Sequence, residues 1–432
     1  MRIAVVALGK IGLPLAVQFA GRGHQVVGAD VNDLVVEQVN RGDAPFPGEF
    51  QLEEKLSEMV QAGRLRATTD TAAAVAEADA VVVVVPLFVN EAAEPDFGWM
   101  DAATADIGRG LRPGTLVSYE TTLPVGTTRT RWKPQLEQYS GLVEGEDFHL
   151  VFSPERVLTG RVFADLRKYP KLIGALSEVG AKQARAFYEA VLEFDHRPDL
   201  PRGNGVWDLG SAEAAELAKL TETTYRDVNI GLANQFAKFA AGNGIDIYQV
   251  IEASNSQPYS HIHQPGIAVG GHCIPVYPRL YLWSDPDATV VRAAREANAS
   301  MPGYAVGLAA AAYGNLAGAR TVVLGAAYRG GVKETAFSGV FALVESLKSA
   351  GAAVTVHDPL YQDDELRSLG LAPYVAGAQV DIAIVQTDHD DYAHWTTRDL
   401  PGVRVVVDGR RCLKDGAFPN VTVVVIGRAA PS

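Results

Sequence analysis

The amino-acid sequence predicts an α/β protein with two doubly wound domains joined by a helical middle domain that contains a long helix. The first observation is the start of the chain, where an apolar strand over 2–7, a helical pattern over 12–23 and a strand over 25–29 form a strand–helix–strand unit. The same rhythm returns at Arg320. Between the two lies the helical periodicity of 211–242. Strands that alternate with helices form a parallel sheet covered on both faces.

The first domain is expected over 1–200. A chain of 432 residues is too long for one compact core, so two or three domains are expected. Further buried strands of this domain are predicted over 80–85, 116–119 and 150–152. The segment 196–210 is rich in Pro, Gly and charge, which is typical of a linker.

The middle domain is expected over 201–315 and the last domain over 316–432. The elements of the middle domain are helices over 211–242, 246–253 and 289–312, with an interruption near Pro302, and a loop over 255–278. Those of the last domain are a strand over 321–324, a helix over 340–350 and strands over 353–357, 380–386, 403–408 and 421–426.

Composition and charge argue against a nucleic-acid-binding protein, a membrane protein and a disulfide-rich secreted protein. A formal net charge of -13 argues against non-specific binding to nucleic acid or to an anionic membrane. No apolar run approaches the roughly 20 residues that span a bilayer, and the first residues lack the pattern of a signal peptide. The cysteines, Cys273 and Cys412, are too few for a disulfide framework and fit a reducing cytosol. We therefore expect a cytoplasmic protein that binds neither nucleic acid nor membranes.

A dinucleotide fingerprint lies between the first strand and the first helix. In the pattern G-x-G-x-x-G, the middle glycine lets backbone approach a pyrophosphate and the third lets helix pack on strand. Gly9 and Gly12 keep these positions, whereas the first is Ala7, which has less freedom in φ. Asp30 ends the second strand, where an acid binds ribose hydroxyls and repels a 2′-phosphate. A merely tight turn is the alternative, but the strand–helix–strand context favours a Rossmann-like domain that binds NAD.

A glycine-rich loop leads to a single cysteine. The loop, 265–275, reads PGIAVGGHCIP and contains Cys273 after His272. Glycines let backbone come close to a ligand, and a thiol at the end of such a loop is accessible. A lone cysteine is more often a small core residue. We assign that plainer role to Cys412, which has no comparable surroundings.

Several separated motifs together carry a family resemblance. Besides the fingerprint and the cysteine loop, they are TTLPVGT at 121–127, SPERVL at 153–158 and ELAKL at 216–220. With them the chain resembles, over nearly its whole length, the nucleotide-sugar 6-dehydrogenases, a family of UDP-glucose and GDP-mannose dehydrogenases and their UDP-N-acetylhexosamine relatives. The PERVL stretch and YRDVN at 225–229 resemble most the branch that acts on UDP-N-acetylmannosamine.

The resemblance implies a chemistry that needs these residue types. Members oxidise C6 of a nucleotide-linked hexose from an alcohol to a carboxylate and consume two NAD. Cys273 would trap the intermediate aldehyde as a thiohemiacetal, which becomes a thioester and is hydrolysed. Lys219 would stabilise the oxyanion, and Glu155 and Thr122 would hold water and transfer protons. Singly, each has a plainer interpretation, such as a solvated helix lysine or a first-turn acid; together with Cys273 they favour the catalytic one.

The resemblance also assigns binding residues. The expected NAD contacts are Gly9, Lys10, Ile11, Gly12, Asp30, Pro86 and Thr122. The expected nucleotide-sugar contacts are Glu155, Arg156, Lys219, His263, Gly270 and Arg410. Arg410 and Arg411 follow a strand of the last domain, where an arginine that faces the cleft suits a diphosphate and its neighbour is a surface residue. No metal site is predicted.

Four positions depart from the family pattern. The family's Asn four residues after the lysine is Thr223, which still donates one hydrogen bond and stays a catalytic candidate. Its Asp four residues after the cysteine is Tyr277, which is no carboxylate at neutral pH because the unperturbed pKa of tyrosine is about 10. Arginines that reach the neighbouring subunit's sugar site and the cofactor are replaced by Tyr259 and Ala336.

Three interpretations stay open at this point. The first is a complete dehydrogenase of a UDP- or dTDP-linked sugar, and the second is an enzyme that stalls at the aldehyde or the thioester. The third is a nucleotide-sugar-binding protein without catalysis. Retention of Cys273, Lys219, Glu155 and Thr122 favours the first.

The long helix predicts the assembly. Its apolar side chains exceed what a solvated linker needs; they are Leu217, Leu220, Tyr225, Val228, Leu232, Phe236 and Phe239. Family members dimerise through this middle domain, so the resemblance implies a homodimer. UDP is the nucleotide that the resemblance favours, while the sugar itself is not encoded in a recognisable motif.

Overall fold

A computed structural model describes residues 1–90 and 92–429. The chain forms two compact units, Met1–Thr221 and Glu222–Ser432. The fold class is the predicted one: parallel sheets in Rossmann-like N-terminal and C-terminal parts, with helices between them. The predicted domain boundaries at 200 and 315 stay a prediction.

The first unit is built around one large sheet. Its strands are β1 Arg2–Val6, β2 Gln25–Ala29, β3 Leu65–Thr68, β4 Ala80–Val83, β7 Leu116–Tyr119, β8 His149–Phe152, β9 Lys171–Ala175 and β10 Val206–Asp208. A separate hairpin pairs β5 Phe88–Val89 with β6 Pro95–Asp96. The strand order in the sheet is β10-β9-β8-β7-β4-β1-β2-β3. Six neighbouring strands are parallel: β3, β2, β1, β4, β7 and β8. The next strand, β9, runs antiparallel to β8.

Helices cover both faces of this sheet, as a parallel sheet requires. They are α1 Gly12–Gly21, α2 Asp33–Arg41, α3 Leu52–Gln61, α4 Thr71–Ala76, α5 Gly98–Gly110, α6 Lys133–Ser140, α7 Val162–Lys168 and α8 Glu178–Val191, with a π turn at Thr128–Trp132 before α6. The central strands are β-branched and fully buried, as in the AVVV of β4. Their burial explains why these strands were predictable from continuous apolar runs.

The predicted linker over 196–210 is partly wrong. Its last residues form β10, which pairs parallel with β9 and extends the sheet at its edge. Trp207 and Val206 supply the aromatic and β-branched character that suits a strand, but the neighbouring glycines and charges obscured so short a run. The strand predicted over 2–7 ends one residue earlier, because Ala7 already turns with φ 74°.

The long helix α9, Ala212–Gly242, confirms the helix predicted over 211–242. Helices follow it and precede the second sheet: α10 Ile247–Asn255, α11 Tyr277–Ser284, α12 Thr289–Ala299 and α13 Met301–Tyr313. The break between α12 and α13 falls at Ser300, next to the predicted interruption at Pro302. The predicted 255–278 loop ends at Tyr277, where α11 begins.

The second unit contains a sheet of five parallel strands. They are β11 Arg320–Leu324, β12 Ala353–His357, β13 Ile382–Val385, β14 Val405–Asp408 and β15 Thr422–Val425, in the order β12-β11-β13-β14-β15. Helices α14 Gly339–Ser349 and α15 Asp363–Ser368 and a 3-10 turn at Asp390–His394 complete the unit. The chain reverses direction across the sheet between β11 and β13, which is where open α/β sheets bind ligands at the carboxyl ends of their strands.

Candidate active site

The fingerprint loop leaves the first strand at the carboxyl edge of the first sheet. Ala7 adopts φ 74°, the conformation that a glycine supplies most easily at the first position of the pattern. A Cβ on Gly12 would lie 1.9 Å from the Ala7 oxygen and 2.7 Å from Cγ2 of Val84, so only glycine allows α1 to pack this closely. A Cβ on Gly9 would meet no atom within 4 Å. The loop therefore fits a dinucleotide: a tight turn with exposed backbone at Gly9 and Lys10.

Asp30 is part of the same loop structure. Its Oδ2 accepts a hydrogen bond from the amide of Leu8 at 2.8 Å, and its Oδ1 accepts one from Asn32 at 3.0 Å. The side chain is half-buried, so the carboxylate fixes the loop and still faces solvent. That arrangement leaves it the lone pairs that a ribose hydroxyl needs.

The loops after β4 and β7 lie beside the fingerprint. The hydroxyl of Thr121 donates to the carbonyl of Val85 at 2.7 Å, which ties the two loops together. Pro86 is exposed and Thr122 is buried. The strand order changes direction between β1 and β4, so these predicted NAD contacts gather at the switch point of the sheet.

A buried carboxylate joins this edge to the start of α9. Glu216 accepts hydrogen bonds from the amide of Gly126 and from the amide and hydroxyl of Thr128, at 2.5 to 2.9 Å. Burial, opposed by these hydrogen bonds, raises its pKa to about 7. Lys219 lies one turn further along α9 and is buried as well. Glu216 thus fixes the helix that carries Lys219 against the loop that follows Thr122.

Glu155 lies in a buried cluster of charges. Nζ of Lys171 contacts Oε2 of Glu155 at 2.8 Å and Oε2 of Glu120 at 2.6 Å. The hydroxyl of Tyr188 donates to Oε1 of Glu120 at 2.7 Å and lies 2.6 Å from the hydroxyl of Ser118. The cluster therefore holds two carboxylates on one ammonium group.

The carboxylates of this cluster differ in their proton affinity. Burial raises the pKa of Glu120 to about 7, although Lys171 lowers it. Burial also acts to raise the pKa of Glu155, but the charge and hydrogen bond of Lys171 outweigh it, and the pKa of Glu155 falls below its ordinary value. Glu155 is therefore the carboxylate that is ionised at neutral pH.

The cysteine loop packs on the carboxyl edge of the second sheet. A Cβ on Gly270 would lie 2.5 Å from Cβ of Tyr328, and the amide of Gly271 donates to the Ala336 carbonyl at 2.8 Å. A Cβ on Gly409 would lie 2.3 Å from Cδ1 of Ile267. The loop thus contacts the segments that follow β11 and β14, on both sides of the switch point, and its glycines are needed for this contact.

Arg410 ties the cysteine loop to the sheet. Its Nε donates to the carbonyl of Gln386 at 2.8 Å, and its Nη2 lies 3.4 Å from the carbonyl of Ala268 and 3.5 Å from that of Tyr328. Burial lowers its pKa. The guanidinium predicted to bind the diphosphate is therefore already ordered by backbone carbonyls. Arg411 is exposed and lies 4.3 Å over the ring of Tyr248.

The thiol environments of the cysteines differ. Cys273 is half-buried, and its carbonyl accepts hydrogen bonds from Val276 at 3.2 Å and Tyr277 at 2.9 Å as α11 begins. Burial, with the nearby charge of Asp408, raises the pKa of Cys412 to about 12. Cys412 packs against the core of the second unit and stays protonated, as expected for a residue without a catalytic role.

The remaining residues singled out in the second unit have different surroundings. The amide of His263 donates to Oδ1 of Asn229 at 2.9 Å, and burial lowers the pKa of His263. Thr223 is fully buried in α9, one turn beyond Lys219. Tyr259 is 92% exposed. In the first unit, Nη1 of Arg156 donates to the carbonyl of Pro170 at 3.2 Å.

Comparison with known proteins identifies the family. Sequence models of the UDP-glucose/GDP-mannose dehydrogenase family match the chain over 1–192 (NAD-binding domain), 213–300 (central domain) and 322–415 (UDP-binding domain). The UDP-N-acetyl-D-mannosamine dehydrogenase of Pyrococcus horikoshii is 34% identical over 427 residues, 96% of each protein. This chain belongs to the UDP-glucose/GDP-mannose dehydrogenase family. It is an NAD-dependent nucleotide-sugar dehydrogenase with NAD as its cofactor.

Solved structures of the family are similar over the whole chain. The UDP-D-ManNAc dehydrogenase of Pyrococcus horikoshii has a TM-score of 0.87 at 32% identity, covering 99% of both chains. An NDP-N-acetyl-D-galactosaminuronic acid dehydrogenase from Methanosarcina mazei Go1 has a TM-score of 0.84 at 27% identity, covering 99% of this chain and 95% of that one. A UDP-glucose dehydrogenase from Pyrobaculum islandicum has 0.86 at 28%, covering 99% and 98%. Proteins named for different sugars are about equally similar, so backbone likeness does not select the sugar.

The charged positions Glu120, Lys171 and Glu216 were not among the predicted site residues. Glu120 directly precedes the TTLPVGT motif, and Glu216 is the first residue of the ELAKL motif. Their place in the motifs was the available signal. Lys171 could be found only by predicting β9, because its antiparallel direction brings Lys171 to the edge where β8 ends.

Within the part of the chain that the structure describes, no helix is long and apolar enough to cross a membrane. Within the same residues, no group of three or more His, Cys, Asp and Glu side chains is arranged to hold a metal ion.

Proposed function

We propose that this enzyme oxidises C6 of a UDP- or dTDP-linked hexose to the carboxylate, with two NAD consumed per sugar and Cys273 as the covalent catalyst. The observation that supports it most is the place of the cysteine loop. The loop packs on the carboxyl edge of the second sheet, beside Arg410, and 322–415 matches the family's UDP-binding domain. A thiol in this loop is well placed to act on a sugar joined to a bound nucleotide.

The chemistry divides between cofactor and protein. NAD, when bound, accepts the electrons of each oxidation. The sulfur of Cys273 adds to the aldehyde carbonyl and retains it as a thiohemiacetal, which is oxidised to a thioester. Water then attacks the thioester carbonyl, the C–S bond breaks, and the acid leaves as the thiol is restored.

Residues of the first unit take the other roles. Lys219 stabilises the oxyanion of each tetrahedral species, because a buried ammonium group acts at full strength where water is excluded. Glu155, held ionised by Lys171, accepts a proton from the attacking water, and Thr122 orients that water. The NAD contacts in this proposal are Gly9, Lys10, Ile11, Gly12, Asp30, Pro86 and Thr122.

The names of similar proteins and the basic side chain of Arg410 support a UDP-linked sugar as the substrate. Two of the similar proteins are named as UDP-sugar dehydrogenases, which supports UDP as the nucleotide. Arg410 would bind the diphosphate through the donors that it now directs at backbone carbonyls. The further sugar-nucleotide contacts are Glu155, Arg156, Lys219, His263 and Gly270.

A shortened reaction is the second candidate, because Thr223 and Tyr277 stand where the family has Asn and Asp. Tyr277 provides no carboxylate next to the turn that follows Cys273. An enzyme with this change would stop at the aldehyde or hydrolyse the thioester slowly.

Assembly and location complete the proposal. We infer a homodimer through α9, where Tyr225, Leu232, Phe236 and Phe239 are exposed on one side of the helix, while Leu220 is buried in the core. We also infer a cytoplasmic location, since a catalytic free thiol persists in a reducing compartment.

The deciding experiment counts NADH formed per sugar consumed, with NAD and a panel of UDP-, dTDP- and GDP-hexoses. The matched variants are Cys273→Ser and Cys412→Ser. Two NADH per sugar, lost in Cys273→Ser and kept in Cys412→Ser, would support the complete reaction. One NADH per sugar would favour the shortened one. No NADH with any sugar, despite measurable nucleotide-sugar binding, would exclude both and favour a binding protein without catalysis.

A further inference from the structure

The buried charges around Glu155 are assembled by the strand directions of the sheet. Glu120 follows β7 and the Glu155 segment follows β8, so both carboxylates lie at the carboxyl edge. Lys171 is the first residue of β9, which runs antiparallel to β8. Because β9 runs antiparallel to β8, its first residue places an ammonium group at the edge of the sheet where β7 and β8 end.

Solvent has little access to this cluster. Lys171 is 4% exposed, Glu120 is 1% exposed, and the side chain of Glu155 is 11% exposed. A cavity of ≈ 10 Å³ borders Glu155 and Lys171, which is about the room of a single water molecule. A carboxylate in such a place is stabilised by protein groups and not by bulk water.

Lys171 is the cation that contacts both carboxylates. Glu120 is itself fixed by the hydroxyl of Tyr188, so it gives the ammonium group a second, ordered carboxyl partner. The amide of Arg156 donates to Oε1 of Glu155 at 2.7 Å, which leaves Oε2 for Lys171. Every group that fixes the direction of the Glu155 carboxylate in these contacts is therefore buried or half-buried.

We propose that Lys171 and Glu120 are positioning residues for Glu155: Lys171 keeps that carboxylate ionised and oriented, and Glu120 fixes Lys171. This rests on the proposed role of Glu155 as a proton acceptor. Lys171 connects the two carboxyl groups, and a hydrogen bond between Glu120 and Glu155 also lowers the pKa of Glu155. An ion pair that served stability alone would not alter the protonation behaviour of the reaction.

The test is the pH dependence of kcat/KM in Lys171→Met, Lys171→Arg and Glu120→Gln, with the sugar nucleotide that the wild type oxidises. Without Lys171, burial raises the pKa of Glu155, so the acidic limb of the profile moves to higher pH by about one unit or more. Lys171→Arg restores the limb. Glu120→Gln weakens the hold on Lys171 and removes a carboxyl group whose hydrogen bond lowers the pKa of Glu155, so it moves the limb in the same direction as Lys171→Met, by a smaller amount.

A control separates this role from structural support. Arg428→Met removes a 2.6 Å ion pair with Asp246 in the second unit and is expected to lower stability without moving the limb. Folding of each variant is checked by NAD titration. If the wild type forms NADH and the acidic limb of the kcat/KM profile is unchanged in Lys171→Met, the positioning role is overturned and the proposed function still stands. If Lys171→Met does not fold, an unchanged limb in Glu120→Gln has the same meaning. A wild type that oxidises no sugar nucleotide would count against the proposed function instead.

Discussion

At the scale of single residues, Gly9 and Gly12 have different tasks in the fingerprint loop. We predict that Gly12→Ala lowers the free energy of unfolding by about 1 to 3 kcal/mol, because its Cβ would lie 1.9 Å from the Ala7 oxygen. Gly9→Ala has open space and is expected to leave stability within about 0.5 kcal/mol while weakening NAD binding. Chemical unfolding and NAD titration of both variants check this. Equal stability losses would contradict it.

Asp30 is predicted to select NAD over NADP. Asp30→Asn keeps a hydrogen-bonding side chain beside the Leu8 amide but removes the negative charge. We expect NAD affinity to fall about tenfold, from the loss of charge-assisted hydrogen bonds worth about 1.5 kcal/mol, and NADP affinity to rise relative to NAD. Both dissociation constants are measured by titration.

The second sheet supplies a matched control for Asp30. β1 pairs with β2 and β11 with β12 in the same register, so Asp358 occupies the corresponding position. It is 3% exposed, accepts the amides of Ala326 and Ala327 and lies 3.1 Å from Nε2 of His389. Asp358→Asn should therefore lower stability and leave the NAD/NADP ratio unchanged. A changed ratio would show that the Asp30 effect is indirect.

At the scale of elements, Glu216 makes the packing of α9 sensitive to pH. Its pKa of about 7 is raised above the ordinary value by burial, so the folded state binds the proton more tightly than the unfolded chain does. The stability linked to this proton is complete below about pH 4.5, the ordinary value of the group, and is lost as pH rises towards 7. We therefore compare the free energy of unfolding of the wild type with that of Glu216→Gln. We predict that the advantage of the wild type over the variant decreases from pH 4.5 to about pH 7 and stays constant at higher pH. A difference that is constant from pH 4.5 to 8 would contradict the assignment.

Much of the element structure was predictable, for identifiable reasons. Strands such as β4 and β14 are continuous apolar runs, and α9 is a long helical pattern without proline. β10 escaped prediction because three residues between glycines and charges give no periodicity. Its strand character comes from pairing with β9, a tertiary interaction that local sequence does not reveal.

The candidate site was predictable only where a motif marks it. Gly12 follows from the fingerprint, and the structure supplies the physical reason in its contact with Ala7. Lys171 has no motif. It contacts Glu155 only because β9 runs antiparallel to β8. The direction of a strand near the edge of a sheet is set by the topology of the whole domain.

At the scale of the whole molecule, the two sheets reach the same arrangement through different strand orders. Both change direction beside their first strand, between β1 and β4 in one and between β11 and β13 in the other. In each, the loops that carry ligand candidates leave the carboxyl ends at that point, and an acid at the end of the second strand holds the first loop. Only Asp30 of this pair remains partly open to solvent, which suits a division between a cofactor site and a substrate site.

The predicted homodimer depends on an exposed apolar stripe along α9. Tyr225, Leu232, Phe236 and Phe239 lie within a narrow arc of α9 and are 39 to 65% exposed. An apolar stripe of this kind in a chain of net charge -13 favours association through that stripe, since the charged surface elsewhere repels a second copy. We expect a solution mass of twice 46.1 kDa.

The variant Phe236→Glu with Phe239→Glu tests which surface forms that dimer. Carboxylates buried against a second copy would lack partners, so the double variant should sediment as a single chain. Phe50→Glu, at a phenylalanine that is 71% exposed in the first unit, is the control and should stay dimeric. If the double variant keeps the dimer mass, α9 is not the interface; if wild type is a single chain at every concentration, the stripe serves another purpose and the assembly proposal is wrong.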